Sequence, residues 1–271
     1  MTPDPTAWQV PAYDATIFSQ RKARYAVLVF VINEGSRVQA QLKAMEPPAK
    51  DVDLVIADGG STDGSLDPFY LQSCGVRALL TKRGPGKLSA QMRMALAWGL
   101  DEGYDGLIVM DGNNKDDPSA VPQFAAALDR GFDHIQGSRY VPGGKAINTP
   151  VLRHWGVKLL HAPLIALASG FKYTDTTNGF RAYSRRLLID ERVQPFRDIF
   201  QRYELHYYLA IRAARLGFRI LEVPVTRSYP AGAPAPTKIS PFRGNLLILQ
   251  TLFRAVRGFY NPARATEMRP I

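Results

Sequence analysis

Residues 53–64 read Asp-Leu-Val-Ile-Ala-Asp-Gly-Gly-Ser-Thr-Asp-Gly. The apolar run that ends at Ala57 is typical of a strand buried on both faces of a parallel sheet. Asp58 follows directly, and the Gly, Ser, Thr and Asp residues after it predict a turn. Residues 25–32 and 106–110 repeat this arrangement. Helical patterns separate the runs, so the sequence predicts an α/β fold with a doubly wound, mostly parallel sheet and right-handed crossovers.

Acidic residues follow three of the predicted strands, at the point where each strand ends. They are Glu34, Asp58 and Asp111. Ligands of doubly wound sheets bind beyond the carboxyl ends of the strands. We therefore expect the three acids to converge on one cleft that binds a ligand.

The C-terminal half is less regular. We expect a helix over 151–169 that is broken near Pro163, a helix over 202–216 that ends at Gly217, and a strand over 219–225. Pro224 predicts an edge position for that strand. We divide the chain into an N-terminal extension (1–24), a catalytic domain (25–240) and a basic amphipathic C-terminal extension (241–271).

The positive charge is concentrated in one part of the chain. Residues 1–180 contain 18 Lys and Arg against 18 Asp and Glu, whereas residues 181–271 contain 16 against 6. Nucleic acid, anionic lipid headgroups and phosphorylated substrates all suit such a surface. We find no helix-turn-helix or zinc-ligand spacing, which argues against nucleic acid. A single cysteine, Cys74, and an N-terminus without an apolar signal segment favour a reducing, cytoplasmic compartment.

These residue types suit the transfer of a sugar from a nucleoside diphosphate. Carboxylates such as Glu34 and Asp58 can accept hydrogen bonds from base and ribose, and Asp111 suits Mg²⁺ or Mn²⁺. Arg83 and Lys87, in a Gly/Pro-rich loop, either contact phosphate or belong to a simple surface turn.

The chain resembles the family 2 inverting glycosyltransferases, which have the A-type nucleotide-diphospho-sugar transferase fold, and within them the dolichol-phosphate mannose synthase branch. The resemblance rests on an ordered set of segments: Val31-Ile-Asn-Glu34, Asp58-Gly-Gly-Ser-Thr-Asp-Gly-Ser65, Val109-Met-Asp-Gly-Asn113 with Pro118, Gly137-Ser-Arg-Tyr140, Asp175-Thr-Thr-Asn-Gly-Phe-Arg181, Glu222-Val-Pro-Val225 and Thr237-Lys238.

The resemblance implies roles for these positions. Glu34 and Asp58 match nucleotide-binding positions, and Lys238 matches a lysine near the diphosphate. We add Asn33, Ser61 and Asp63 of the same segments, and Arg83 and Lys87 of the basic loop, as candidate donor-binding residues. Asp111 and Asn113 stand where the family has its Asp-x-Asp metal motif, and Asp111 is also expected to act in catalysis. Arg139 and Arg181 match basic residues around an acceptor phosphate.

Four positions depart from the family pattern. Ile32 replaces a Tyr, Asn113 replaces the second acid of the metal motif, and Lys115 stands where a small polar residue is common. The Arg expected before Lys238 has no counterpart in register; Arg227 lies nearby.

Two acceptors are compatible with the sequence. The first is a polyprenyl phosphate, reached by a protein that lies on the inner face of an anionic membrane through residues 151–171 and 245–260. The second is a hydroxyl group of a glycan, glycolipid or small molecule, for which Glu204 is the candidate base. Glu204 equally suits an ion pair with a neighbouring Arg. The donor is expected to be UDP- or GDP-linked. A nucleic-acid-binding protein and a catalytically inactive scaffold are further alternatives.

Overall fold

The computed structural model describes residues 8–46, 50–230 and 243–262. The strands are β1 Tyr13–Ile17, β2 Tyr25–Val31, β3 Asp53–Asp58, β4 Val76–Lys82, β5 Gly106–Asp111, β6 His134–Ser138, β7 Lys145–Ile147, β8 Arg181–Ser184, β9 Ile220–Pro224 and β10 Thr226–Ser228. The helices are α1 Ser36–Met45, α2 Pro68–Ser73, α3 Leu88–Asp101, α4 Val121–Asp129, α5 Val151–Gly156, α6 Ala162–Ser169, α7 Arg185–Leu188, α8 Glu204–Arg215 and α9 Arg243–Val256. A 3-10 turn, Pro118–Ala120, precedes α4, and a π-helical stretch, Val157–His161, joins α5 to α6.

The main sheet has the strand order β1-β4-β3-β2-β5-β8-β6-β9. The central strands β4, β3, β2 and β5 are parallel, which confirms the predicted doubly wound arrangement. Apolar clusters cover both faces of the sheet. One includes α3, α6, α8 and α9, and the other includes α1, α2 and α4. Burial on both faces explains why β2 is apolar along its whole length.

Two strands of this sheet were not predicted. β8 lies antiparallel between β5 and β6, and its polar ends, Arg181 and Ser184, hide the strand pattern. β1 pairs antiparallel with β4 at one edge. The predicted edge position of β9 is confirmed, because it pairs with β6 at the other end of the sheet.

Parts of both predicted extensions join the core of the catalytic domain. β1 lies within residues 1–24 and belongs to the main sheet. Leu252, Ala255 and Tyr260 of the C-terminal segment are buried in the same cluster as α8. The boundaries drawn from composition therefore do not separate packing units.

The expected irregularity near Pro163 is present. Pro163 has no N–H to donate to the preceding turn, and the backbone changes to π-helical bonding over Val157–His161 immediately before it. Gly217, expected to end α8, has φ 76°, the left-handed conformation that glycine adopts without strain. No helix in the described part of the chain combines the length and apolarity that a membrane span needs.

Candidate functional site

Two loops meet at the carboxyl ends of β2 and β3. The backbone N–H of Asn33 donates to Ser61 Oγ (2.9 Å), and Asn33 Oδ1 accepts from the N–H of Thr62 (2.8 Å). The N–H of Gly35 donates to Asp63 Oδ2 (2.9 Å). Asn33 adopts φ 46°, a left-handed conformation that Asn tolerates better than most residues. The loops therefore hold each other in one arrangement.

Asp58 is the centre of this loop pair. It is the last residue of β3, and its carboxylate accepts from the N–H (2.9 Å) and Oγ (2.6 Å) of Ser61. The side chain is almost completely buried. Glu34, in the loop after β2, forms an ion pair with Arg37 (2.9 Å). The structure thus places Asn33, Glu34, Asp58, Ser61 and Asp63 together, and their contact with a nucleotide stays a prediction.

Gln91 of α3 holds the ends of the two strands, and the sequence analysis did not identify it. Its Nε2 donates to the carbonyl oxygens of Val31 (3.0 Å) and Ala57 (2.5 Å). Gln91 is buried, and its two bonds satisfy the side-chain amide and fix the end of β2 against the end of β3; the Val31 oxygen also accepts from the N–H of Gly59 (2.7 Å). A lone Gln within an Ala/Met/Leu-rich helix is the only sequence signal for this role.

The basic loop after β4 forms one ion pair at the edge of the sheet. Arg83 is exposed and forms an ion pair with Asp14 of β1 (2.7 Å). Lys87 is exposed at the start of α3. Lys82, the last residue of β4, is the basic group near Asp58: burial lowers the pKa of its amine, and the carboxylate of Asp58 partly opposes this. Lys82 is therefore a basic residue of this segment that lies near Asp58. The predicted phosphate contacts of Arg83 and Lys87 stay untested.

Asp111 ends β5 on the opposite side of β2 from Asp58. Asp58 pairs with Val31 and Asp111 with Phe30, so the two carboxylates flank β2 at the same edge of the sheet. Two inter-strand spacings separate them, about 10 Å. The Asp111 side chain is 28% exposed. The predicted cleft at the strand ends is therefore lined by acids from neighbouring strands.

The amide of Asn113 bonds to Asp111 through nitrogen. Nδ2 donates to Asp111 Oδ2 (3.3 Å), and Oδ1 accepts from the N–H of Lys115 (3.3 Å). Gly179 lies on the other side of the carboxylate, where an ideal Cβ would stand 3.1 Å from Asp111 Oδ1. The absence of a side chain at 179 keeps that oxygen accessible.

Arg227 is the main charged partner of Asp111. Its Nη2 lies 3.0 Å from Asp111 Oδ2, and its Nη1 donates to Asp116 Oδ2. Asp116 is buried, and its Oδ1 has no hydrogen-bond partner among the described residues. A backbone bridge between Asp116 and Arg227 keeps the two segments together. The sequence analysis set Arg227 aside as out of register; the structure places it at the metal motif.

Burial and charge act in opposite directions on these groups. Burial disfavours ionisation of Asp111, but Arg227 and Lys115 outweigh it and lower the pKa of the carboxyl. Asp116 is more deeply enclosed, and burial raises its pKa despite Arg227. Burial also opposes the charge of Arg227, but the two carboxylates raise its pKa well above the usual value. Arg227 is therefore a permanent cation.

These residues offer a divalent cation one carboxylate oxygen, Oδ1 of Asp111. No group of three or more His, Cys, Asp or Glu side chains within residues 8–46, 50–230 and 243–262 is arranged as a metal site. Mg²⁺ sites, however, often use only one or two carboxylates together with substrate phosphates and water. Asp111 meets this need through Oδ1, because its bonds to Arg227 and Asn113 both use Oδ2. Asn113 as a metal ligand stays a prediction.

Arg139 forms a buried ion pair. Its Nε and Nη2 contact the two carboxylate oxygens of Asp175 at 2.6 and 3.0 Å, and Nη2 also donates to Thr177 Oγ1 (3.0 Å). The side chains of Arg139 and Asp175 are 1% and 0% exposed. In this structure the guanidinium therefore holds the loop after residue 174, and its predicted contact with an acceptor phosphate is untested.

Arg181 also forms its hydrogen bonds within the protein interior. Its Nε, Nη1 and Nη2 donate to the carbonyl oxygens of Asn178, His206 and Thr176 at 3.0, 2.7 and 2.8 Å. His206, which the sequence analysis passed over, lies close enough to Arg181 and Asp111 to interact with both. Burial and then Arg181 lower the pKa of His206 to about 3, so the imidazole is neutral near Asp111.

Glu204 lies at the first residue of α8. Its Oε2 accepts from the backbone N–H groups of Gln201 (3.0 Å) and Arg202 (2.6 Å). A carboxylate at a helix start is favoured by the helix dipole. Among the described residues, no Arg forms an ion pair with Glu204, whose bonded partners are the two backbone N–H groups. Its role as a base stays a prediction. Lys238 lies outside the described residues.

Comparisons with known proteins agree with this geometry. The family model described as "Glycosyl transferase family 2" matches residues 26–191. The chain is 32% identical over 211 residues to an undecaprenyl-phosphate mannosyltransferase of Micrococcus luteus, covering 75% of this chain and 83% of the relative. It is 29% identical over 206 residues to a polyprenol monophosphomannose synthase of Mycolicibacterium smegmatis, covering 75% and 77%.

Solved structures agree on the fold. A glucosyl-3-phosphoglycerate synthase from Mycobacterium tuberculosis, crystallised with Mn²⁺, uridine diphosphate and phosphoglyceric acid, aligns with a TM-score of 0.60 at 18% identity, covering 90% of this chain and 80% of that one. The predicted A-type nucleotide-diphospho-sugar transferase fold is confirmed.

Proposed function

The chain belongs to glycosyl transferase family 2, and on that premise we propose that it transfers a sugar from a nucleotide-sugar donor to a polyprenyl phosphate at a membrane surface. The observation that carries the acceptor is the similarity to two enzymes whose names specify undecaprenyl phosphate and polyprenol. The enzyme class itself, glycosyltransferase, follows from the family.

The donor occupies the edge of the sheet where β2, β3 and β5 end. The paired loops around Asn33 and Asp58 present carbonyl, carboxylate and hydroxyl oxygens to a nucleoside, UDP- or GDP-linked. Asp111 then faces the diphosphate together with a divalent cation, Mg²⁺ or Mn²⁺. A cation held by Oδ1 of Asp111 would supply positive charge to neutralise the departing nucleoside diphosphate. Arg227 orients the Asp111 carboxylate through Oδ2.

A phosphate acceptor needs no general base, because its oxygens are already ionised at neutral pH. The contacts of Glu204 support this acceptor: its Oε2 is used by the N–H groups of Gln201 and Arg202. A base for a hydroxyl acceptor must instead reach the proton that it removes.

The membrane surface is proposed at the helices that follow residue 150. Leu159 and Leu167 are 70% and 78% exposed, and Val151 and Trp155 are exposed beside them. α9 exposes Leu246 and Phe253, and Phe259 follows it. Lys158 lies among these apolar residues, with its Nζ 5.0 Å from the Tyr140 ring centre. Apolar side chains with nearby cations suit peripheral binding to the anionic inner face of a membrane.

The function is tested by sugar transfer with a panel of UDP- and GDP-sugars, Mn²⁺ or Mg²⁺, and a polyprenyl phosphate acceptor. We expect product with at least one donor. We expect Glu204→Gln to keep the rate within about threefold of the wild type, since loss of a general base costs 10²–10⁴-fold but this reaction uses none. The Gln side chain retains an oxygen that can accept from the two N–H groups.

The acceptor class decides between the alternatives. If Glu204→Gln retains its fold but loses transfer by a factor of 100 or more, Glu204 acts as a base and the acceptor is a hydroxyl. Product with a glycan or glycolipid and none with polyprenyl phosphate would lead to the same conclusion.

Membrane binding is tested with Leu159→Ser/Leu167→Ser. Loss of two exposed Leu side chains from the interface is expected to weaken binding to phosphatidylglycerol vesicles at least tenfold, at roughly 1.5–3 kcal/mol per buried side chain. Vesicle sedimentation measures the bound fraction. Phe69→Ser is the matched control, because Phe69 is 83% exposed on α2, in the opposite helix layer. Equal binding of both variants would place the membrane surface elsewhere.

A further inference from the structure

Four charged side chains lie together at the end of β5. Asp111 and Asp116 contribute two negative charges, and Arg227 bridges them with one positive charge. Lys115 is buried next to them, with its Nζ 5.4 Å from the ring centre of Tyr229; the guanidinium carbon of Arg227 is 5.9 Å from the same ring. The group is neutral before any metal ion binds.

The neutral residue at 113 contributes to this balance. Where the family motif has a second acid, this chain has Asn113, which adds no charge and donates to Asp111 Oδ2. Arg227 donates to the same oxygen at 3.0 Å. A divalent cation on Oδ1 therefore shares its ligand with a fixed cation. Like charges a few ångströms apart in a poorly solvated site repel each other, and this repulsion disfavours the divalent cation.

Arg227 is also held so that it cannot leave easily. Its other nitrogen, Nη1, bonds to Asp116, which is buried and bridged to Arg227 through the backbone. Arg227 is itself buried. Its position beside Asp111 thus depends on internal contacts and requires neither a bound metal nor a bound nucleotide.

We propose that Arg227 is a built-in cation of the donor site, which weakens metal binding to Asp111 and itself attracts the diphosphate when no metal is bound. The inference rests on the proposed function, since it assumes that a nucleoside diphosphate binds beside Asp111. Donor binding then depends less on a divalent cation than it would with an acid at 113 and no arginine at 227.

The test measures two affinities that change in opposite directions. Mn²⁺ binding without nucleotide is followed by electron paramagnetic resonance, and binding of UDP and GDP in EDTA by calorimetry. Arg227→Gln is expected to tighten Mn²⁺ binding at least fivefold and to weaken metal-free nucleotide binding at least tenfold, on the order of what one removed charge supplies. General damage to the site would weaken both.

A second variant guards against misfolding. Arg227→Gln leaves Asp116 buried without its cation, so Arg227→Gln/Asp116→Asn, which removes both charges, is measured in parallel. It is expected to change both affinities in the same directions by a smaller factor, because Arg227 lies in contact with Asp111 and the lost Asp116 charge offsets only part of its effect. Arg77→Gln is the matched control: Arg77 is a buried arginine paired with Glu102, on β4. Its loss should alter neither affinity.

The outcomes separate this inference from the proposed function. Nucleotide binding by the wild type with unchanged Mn²⁺ and nucleotide affinities in both Arg227 variants overturns the inference alone. If the wild type binds neither UDP nor GDP, with or without Mn²⁺, the proposed function fails and the inference fails with it.

Discussion

Asp111→Asn is expected to lower the rate of sugar transfer by about 10²–10³-fold, the usual cost of removing one preorganised charged group from an active site. The substitution keeps the shape of the side chain but removes the carboxylate that faces the cation and the diphosphate. Initial rates at saturating donor and Mn²⁺ measure the effect.

The fold should survive this substitution. Arg227 keeps its bond to Asp116 when Asp111 becomes neutral, so no buried cation loses all its partners. Asp117→Asn is the control, because Asp117 is an exposed acid nearby that caps the turn at Ser119 (2.9 Å), and Asn also caps helices well. A wild-type rate for Asp111→Asn would remove Asp111 from the donor site.

Asp175→Asn should produce the largest loss of stability, a decrease of about 3–5 kcal/mol in the free energy of unfolding. The amide cannot neutralise Arg139, whose side chain is 1% exposed and therefore has no water to compensate. The bidentate contact with Arg139 is also lost, because one of the two carboxylate oxygens is replaced by the Nδ2 group of Asn, which donates hydrogen bonds and cannot accept one from the guanidinium. Urea denaturation measures the change.

The large expected loss of stability follows from the burial of the Arg139–Asp175 pair, and an exposed ion pair tests this reason. Asp190 and Arg192 form a contact of 2.8 Å, but Arg192 is 60% exposed, so Asp190→Asn should cost no more than about 1 kcal/mol. Arg139→Gln/Asp175→Asn should cost less than the sum of the two single changes, since neither charge is then left alone. Similar losses for Asp175→Asn and Asp190→Asn would contradict the argument.

Much of the donor site could be predicted from short stretches of sequence. The runs that end at Ala57 and Met110 identified β3 and β5, and the acids after them were found where these strands end. Local patterns contain this information, because a strand buried on both faces must be apolar along its length. The break before Pro163 and the end of α8 at Gly217 could also be predicted, because each depends on the backbone preference of a single residue.

The partners of the charged groups could not be predicted in this way. The assignment of Arg139 and Arg181 to an acceptor phosphate stays a prediction, and their contacts with Asp175 and three backbone carbonyls were not foreseen. Arg83 was assigned either to a phosphate contact or to a surface turn, and its ion pair with Asp14, on an edge strand that was not predicted, was not foreseen. Most of these contacts join residues far apart in the chain, as Arg83–Asp14, Arg139–Asp175 and Arg181–His206 do, so the hydrophobic periodicity of the sequence does not indicate them.

The sequence by itself determined the central parallel strands of the sheet, their carboxyl ends and the acids Asp58 and Asp111 at those ends, because burial patterns and strand ends are local properties. Only the tertiary structure decided which cation stands beside Asp111. Arg227 is 116 residues further along the chain, and it reaches Asp111 because β10 follows β9 and bridges to Asp116. The charge balance of the site follows from that long-range packing, and no motif encodes it.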